Sequence, residues 1–384
     1  MIGCSIQVLH VFRYFRPNFT GEGLYFEKLA RHLAGFGVNS DVIVDTTCAP
    51  DAVEPSAGIR QVHYFGTGDG WPRRFRPAML RWLCMNARRY EVIHFHASVD
   101  RLLLSQTIAH LLGCAVVQST TLDDGLGQAV DGYRPLYRPI VRRQSRVIDA
   151  VIGLSPKLHA DNLRVLDATR SYLIPQGVEA PEGLPPGGRM DARARWGFGP
   201  QDIVMLFVGG LCARKDVGFL IANHPKLSGA GRLRLLIVGP DLEDDHANAL
   251  RAMAAASPNP TDIVLCGYME DPSPAYQAAD IFVFASRAEG FGNVLIEAMA
   301  WGLPVVVRRL PGVTDYIVDH GRTGFLFNTE AEYRDAVNGL IQDATQRREM
   351  GGAARVHASM TFGMPAIASQ YLALYRRLAG RRRT

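Results

Sequence analysis

Short runs of β-branched and other apolar residues alternate with helix-length amphipathic segments along the first half of this chain. SIQVLHVF is followed by GLYFEKLARHLAGFG, and SDVIVDTT, IRQVHYFG, EVIHFHA, CAVVQST, DAVIGLS and SYLIPQ come after it in turn. That is the strand, helix, strand rhythm of a parallel sheet covered on both faces. Around APEGLPPGGRM, residues 180–190, the rhythm breaks into Pro and Gly, which predicts an interdomain linker. A second series follows, with DIVMLFVGG, RLRLLIVGP, DIVLCGY, DIFVFAS and PVVVRRL as strands, spaced by helical stretches such as DVGFLIANHPKL and NVLIEAMAWG. The expected fold class is α/β, with two open sheets whose strand carboxyl ends can face a shared cleft, where doubly wound folds bind ligands. No repeat of roughly 20 to 50 residues interrupts the pattern, which argues against a solenoid.

At 384 residues the chain exceeds the size at which one core keeps growing, so two domains are expected. Its 47% hydrophobic and 21% charged content lies far from compositions that stay unfolded. No apolar run approaches the roughly 18 residues of a membrane-spanning helix, and the N-terminus runs into strand-like sequence with no basic leader. A soluble, unprocessed, cytoplasmic chain is the expectation. Six scattered cysteines lack zinc-like spacing, as suits buried thiols in a reducing compartment. A net charge of +5 is too mild to imply nucleic acid as a principal partner. Only four of the 42 basic residues are lysines, so a lysine in a glycine-rich loop stands out, and Lys215 is one.

AEGFGNVLIEAMAWGLPVVV carries the most chemistry. Glu289, Gly290, Phe291 and Gly292 follow a strand, and Val294, Leu295, Ala298 and Trp301 form the apolar stripe of a helix stopped by Gly302 and Pro304. Free amides near Phe291, Gly292 and Asn293, with the positive end of the helix dipole, suit a phosphate or a polar sugar face. Glu289 in the turn and Glu297 in the helix can accept hydrogen bonds from vicinal hydroxyls. An acidic cap with a solvent-facing Glu is the alternative. In VGGLCARKDVGFL the Gly209-Gly210 turn precedes Arg214 and Lys215, two cations beside a helix opening at Asp216, which suits a diphosphate without a metal. A solvated surface pair is the alternative there.

Together these segments resemble the retaining glycosyltransferases with two Rossmann-like domains, the GT-B architecture, of the family 4-like or group 1 type. EGFGNVLIE is similar to that family's Glu-x7-Glu element, VGGLCARK to its phosphate loop, VIGLSP and IPQGVE to its entry into the linker, and LPGVTDYIVDHGRTGFLF to the segment beyond. The resemblance implies that Lys215, with Arg214, neutralises a donor diphosphate, that Glu297 holds the ribose and that Glu289 holds the transferred sugar. Gly210 and the backbone of Phe291, Gly292, Asn293 and Val294 would line the same site, and the backbone at Tyr268 and Met269 would meet the base. It also implies an acceptor-binding domain over 1–177, a nucleotide-sugar domain over 178–362, and a helix and basic tail over 363–384 returning to the first domain.

The implied activity is metal-independent transfer of a hexose-type sugar from a UDP- or GDP-sugar, with retention of configuration and no resident cofactor. The acceptor would be a hydroxyl of a glycan or lipid-linked molecule, in bacterial cell-surface polysaccharide or glycolipid synthesis. Departures are Gly210 where many members have Arg, Gln176 for a common Asn and Asp315 for a common Glu. A sugar-nucleotide epimerase or a catalytically silent partner subunit on the same scaffold stays open.

In the first half, PNFTGEGLYFEKLARHL places Gly21 and Gly23 before a helix that turns Leu24, Leu29 and Leu33 to the core. The resemblance implies that this glycine loop approaches the donor. A dinucleotide fingerprint is the rival, but Phe26 stands where its third glycine belongs. His94 and His96 alternate along EVIHFHA and so share one side of a strand end. A metal would need further ligands and none is suggested nearby, so core or cleft-lining histidines are expected and no metal site. Thr121 stands where the family usually has a His, followed by Asp123 and Asp124 as candidate polar contacts or a loop cap.

WPRRFRPAMLRWLCMNARRY, from Trp71 to Tyr90, has six Arg and no acid, with Phe75, Met79, Trp82 and Leu83 at helical spacing; RPLYRPIVRRQSR, from Arg134 to Arg146, adds five Arg. Such helices can lie on anionic lipid, which predicts peripheral attachment at the cytoplasmic face of an inner membrane, reinforced by Arg376, Arg377 and Arg381 to Arg383. Helices packed on their own sheet with an arginine outer face are the alternative.

Overall fold

The computed structural model describes residues 5–16, 21–44, 56–65, 77–96, 103–121, 125–181, 188–228 and 231–380. Asp45, Trp71 to Arg76, Asp123, Asp124 and the tail from Arg381 lie outside them. The chain divides into two compact units, residues 1–177 with 364–384, and residues 178–363.

The first unit holds a seven-stranded parallel sheet of β1 (Ile6–Phe12), β2 (Val38–Val44), β3 (Ile59–Tyr64), β4 (Val92–Phe95), β5 (Ala115–Thr120), β6 (Ala150–Gly153) and β7 (Ser171–Leu173), in the order β3-β2-β1-β4-β5-β6-β7. Its helices are α1 (Gly21–Gly35), α2 (Pro77–Asn86), α3 (Leu104–Leu111), α4 (Leu126–Asp131), α5 (Arg138–Gln144) and α6 (Pro156–Asn162), with the C-terminal helix Met364–Gly380 packed beside α1. The central strands β1, β4 and β6 are buried along almost their whole length, as parallel strands covered on both faces are, so alternation there gives no gain. On one face, Leu9, Ile93, Val116 and Val151 pack with Met79, Leu80 and Leu83 of α2.

The core stripe of α1 differs slightly from the expected one. Leu29 and Leu33 are fully buried, but Phe26 takes the place expected of Leu24, which is only half-buried. On α2 the same inward turn leaves Cys84 exposed, so the cysteines are not uniformly buried: Cys114 and Cys212 are, and Cys266 is intermediate.

The second unit holds β8 (Ile203–Val208), β9 (Leu233–Val238), β10 (Ile263–Gly267), β11 (Ile281–Phe284), β12 (Val305–Arg308) and β13 (Gly324–Phe327), parallel and in the order β10-β9-β8-β11-β12-β13. Its helices are α7 (Gly188–Ala194), α8 (Val217–Asn223), α9 (Asp244–Ala255), α10 (Ser273–Ala278), α11 (Asn293–Ala300), α12 (Thr314–Ile317), α13 (Glu330–Gln342) and α14 (Ala344–Phe362). The Pro- and Gly-rich stretch ends in α7 rather than in linker. Arg193 of α7 anchors it there, donating to the Ala278 carbonyl at 3.0 Å and to Asp280 at 2.6 Å. β13 adds a sixth strand to the five read from the second half of the sequence.

Each sheet grows outward in both directions from its centre, between β1 and β4 in the first unit and between β8 and β11 in the second. At such switch points the two flanking loops run apart and leave a crevice at the strand carboxyl ends. No described helix is long and apolar enough to cross a membrane.

Candidate active site

In the second unit, the loop from β8 to α8 and the loop from β11 to α11 flank the switch point, and they bring Lys215 and Glu289 together. The Lys215 ammonium donates to Glu289 Oε1 at 2.6 Å, the Arg214 guanidinium lies 2.9 Å from the same oxygen, and Ser286 Oγ donates to it at 2.6 Å. Glu289 is 8% exposed and Lys215 12%. Burial alone pushes the Glu289 carboxyl upward, but Lys215, Arg214 and the hydrogen bonds from Lys215 and Ser286 together hold it below the usual carboxylate range. The Lys215 ammonium also sits 5.1 Å from the centroid of the Phe284 ring.

The β8 loop is locked in place by Asp216, whose backbone is left-handed at φ +50°. Its carboxylate accepts from Arg287 and from Arg308, each at 2.9 Å, so the loop is tied to residues that follow β11 and end β12. Strain at an Asp in this conformation is modest and is repaid by two ion pairs.

The turn after β11 ends at Gly292, φ +116°, a conformation that an L side chain rarely adopts. Gly292 caps α11, and the amides of Phe291, Gly292, Asn293 and Val294 donate to no protein acceptor among the described residues. Asn293 Oδ1 is buried and likewise has no partner among them. Four free donors and one orphaned acceptor at a helix start make a polar cradle next to Lys215 and Glu289.

Glu297 lies one turn into α11 and accepts from Tyr276 Oη at 3.0 Å. Tyr276 of α10 is 2% exposed, and burial followed by the nearby Glu297 carboxylate raises its phenol well above the ordinary value. It was not singled out in the sequence; a buried Tyr outside any motif carries no signal until the tertiary fold sets it against Glu297. Tyr268, half exposed, and Met269 follow the carboxyl end of β10, three strand spacings or roughly 14 Å across the sheet from β11. Gly210 lies beside Leu242: a Cβ there would come within 2.3 Å of Leu242 Cδ1, so the position is closed unless that exposed side chain swings away.

In the first unit the structure places Gly21 at the start of α1, where an added Cβ meets nothing within 4 Å, and buries Gly23. Thr121 directly follows β5, half-buried. His94 and His96 do share a side, and a third histidine joins them: His10 of β1 pairs in register with His94 of β4. The correction to the two-histidine reading comes from strand order, since residues more than 80 positions apart become neighbours only when β1 lies beside β4. His10 Nδ1 and His96 Nε2 are 3.0 Å apart, His94 bonds Tyr375 Oη and Ser119 Oγ at 2.7 Å each, and His96 Nδ1 lies 3.4 Å from Glu22 Oε1.

Burial, then the neighbouring imidazoles, keeps His10 and His96 well below the ordinary histidine value, and burial lowers His94 to about 3. Burial pushes the Glu22 carboxyl up to about 8. The three rings offer nitrogens within 4.8 Å of one another. However, both nitrogens of His94 and of His96 already have partners, and the two rings stack at 4.1 Å, while His10 Nε2 is buried with no partner among the described residues. The cluster is a hydrogen-bonded core.

Two doubly wound parallel sheets, the second with a cationic loop, a carboxylate and a helix start at its switch point, define the GT-B class of glycosyltransferases. Anabaena HepE, solved in complex with UDP and glucose, superposes with a TM-score of 0.80 at 20% identity, covering 97% of this chain and all of that one. A family model for glycosyl transferases group 1 matches residues 202–343, and one for the glycosyl transferase 4-like domain matches residues 20–177. The chain belongs to the group 1 glycosyltransferases of family 4-like type. It is similar to a D-inositol 3-phosphate glycosyltransferase of Kineococcus radiotolerans, 28% identical over 93% of this chain and 90% of that protein. It is also similar to an alpha-maltose-1-phosphate synthase of Mycolicibacterium smegmatis, 28% identical over 62% of this chain and 66% of that protein.

Proposed function

We propose that this glycosyltransferase moves a hexose-type sugar from a nucleotide-sugar donor to an acceptor hydroxyl with retention of configuration, the second unit holding the donor. UDP-sugars are the favoured donors, because UDP and glucose are bound in the Anabaena neighbour; GDP-sugars come next. The observation that carries the reading is the convergence of Lys215 and Arg214 on the Glu289 carboxylate beside the free amides of α11. Without donor, Glu289 neutralises the cations. An arriving diphosphate competes for them, and as it takes Lys215 and Arg214 it frees Glu289 for the hydroxyls of the transferred sugar. Glu297, steadied by Tyr276, holds the ribose.

Because fixed cations already offset the leaving-group charge, the reaction is proposed to run without a metal. The departing phosphate oxygen takes the acceptor proton as the glycosidic bond forms on the face the nucleotide leaves. The proposed acceptor is a glycan or lipid-linked hydroxyl held by the first unit. A small phosphorylated polyol is the second reading, favoured by the D-inositol 3-phosphate glycosyltransferases among the relatives.

The test titrates the purified chain with UDP- and GDP-sugars by calorimetry, then follows transfer to a panel of glycan, lipid-linked and inositol phosphate acceptors with and without EDTA, reading the anomer by NMR. Donor binding, EDTA-insensitive transfer and a retained anomer are expected. Absence of binding heat with every nucleotide sugar would indicate a silent subunit. A changed sugar nucleotide without acceptor would indicate an epimerase, and an inverted anomer would overturn retention.

A further inference from the structure

We propose that the turn and helix around α5 form a docking surface for an anionic lipid bilayer. Leu136, Tyr137 and Ile140 are 78%, 46% and 50% exposed. Singly exposed apolar residues are ordinary on a protein surface, but three within five positions are not scattered. Ile140 and Arg143 fall on one side of α5 at helical spacing, Leu136 and Tyr137 lie in the turn that leads into it, and Arg142 and Arg146 are exposed alongside. Val141 alone on this helix is turned fully to the core.

From Tyr133 to Ile148 there is no acidic residue, and none of Arg142, Arg143 and Arg146 forms an ion pair with a described acid, although Arg142 lies close enough to help lower the Asp131 carboxyl; Arg134, also exposed, adds a fourth positive charge. The fifth arginine has another task. Arg138 donates to the carbonyls of Tyr133 and Asp131 at 2.9 and 2.8 Å, fixing the turn against the end of α4 and so holding the exposed face rigid.

The chemistry selects the occupant. Aliphatic side chains gain by leaving water only in an apolar medium, while guanidinium groups at the rim gain from phosphate; a bilayer with acidic headgroups supplies both at one depth. Nucleic acid would satisfy the arginines and leave Leu136 and Ile140 in water.

Of the two basic segments expected to attach, the one around α5 presents the larger apolar surface. In the segment from Trp71 to Tyr90, the described part buries Met79, Leu80 and Leu83 in its own sheet and packs Trp82 against His63, Phe65 and Tyr90, leaving Met85 as its one exposed large apolar side chain among the described residues, against three around α5. The proposal depends on this surface alone and not on the reading of the donor site.

The test is sedimentation of the full chain with vesicles of phosphatidylcholine, with or without about 30 mol% phosphatidylglycerol. Two double variants accompany the wild type: Leu136→Asp with Ile140→Asp, and Arg142→Glu with Arg143→Glu. Wild-type protein is expected to bind the acidic vesicles only and to release as salt is raised. Each double variant should lose at least about tenfold in partitioning, with unchanged melting temperature and UDP binding. Three outcomes overturn the proposal: no binding to acidic vesicles, equal binding to neutral ones, or variants that partition like wild type. A shift from dimer to monomer in the variants, seen by sedimentation velocity, would assign the face to a second copy of the chain and overturn it too.

Discussion

The two sheets of this protein are built on one plan and carry opposite electrostatics at their centres. Beside β8 and β11 stand Lys215, Arg214 and Glu289, charged and tightly paired; beside β1 and β4 stand His10, His94 and His96, buried and neutral. A buried charge persists only with a partner, and a buried group that has none gives up its charge instead. The second site can therefore exchange one anion for another, a carboxylate for a diphosphate, at little cost. The first has no charge to exchange and contributes a rigid polar core under α1 and the C-terminal helix. The contrast predicts that the second unit answers to anions and salt, and the first to pH.

The largest expected effect comes from Lys215→Ala. Transfer should fall by about 100-fold or more, in initial rates at saturating acceptor. Removing one partner should also lower stability by about 3 kcal/mol in denaturant titration, because Glu289 is left with Arg214 and Ser286. Wild-type transfer by this variant would abolish the contrast between the two sites.

The next effect separates the sites by pH. The folded imidazoles hold off protons that the unfolded chain takes up below about 6.5, so their contribution is complete above that value and is lost as pH falls toward the folded values, about 3 for His94. Glu22 acts with the opposite sign: raised from 4.5 to about 8, it contributes below its unfolded value and that contribution is lost as pH rises through 8. Stability should peak near pH 6.5 and fall on the acid side by up to about 1.4 kcal/mol per pH unit for each histidine. His94→Gln should flatten that acid limb in urea titrations, and an unchanged slope would show that the imidazole cluster does not set it.

A smaller effect is expected from Tyr276→Phe. Loss of one hydrogen bond to Glu297, about 1 kcal/mol, should raise the donor KM about fivefold and leave kcat near wild type. A fall in kcat alone would move Glu297 from donor binding to the chemical step. The smallest is Gly210→Arg, which should change donor affinity by less than about threefold, since Leu242 is exposed and free to swing. A tenfold gain by calorimetry would mean that the loop lacks a phosphate contact Arg214 does not supply.

Much of this was legible in short stretches of chain. Val- and Ile-rich runs reveal buried parallel strands, and a glycine turn before an amphipathic stripe reveals the helix start at Gly292, because each signal is complete within about ten residues. The spacing from Glu289 to Glu297 is equally local. Those features the sequence determined by itself, together with the α/β class and the cation-rich loop at Lys215. The strand order decided the rest: that Lys215 reaches a carboxylate 74 positions away, that His10 completes a cluster with His94 and His96, and that Tyr276 steadies Glu297. Tertiary packing also chose which basic segment turns its apolar side inward and which leaves it in water. A residue's type limits what chemistry it can do, but burial and neighbours, which fix its charge and its partners, exist only once distant segments have come together.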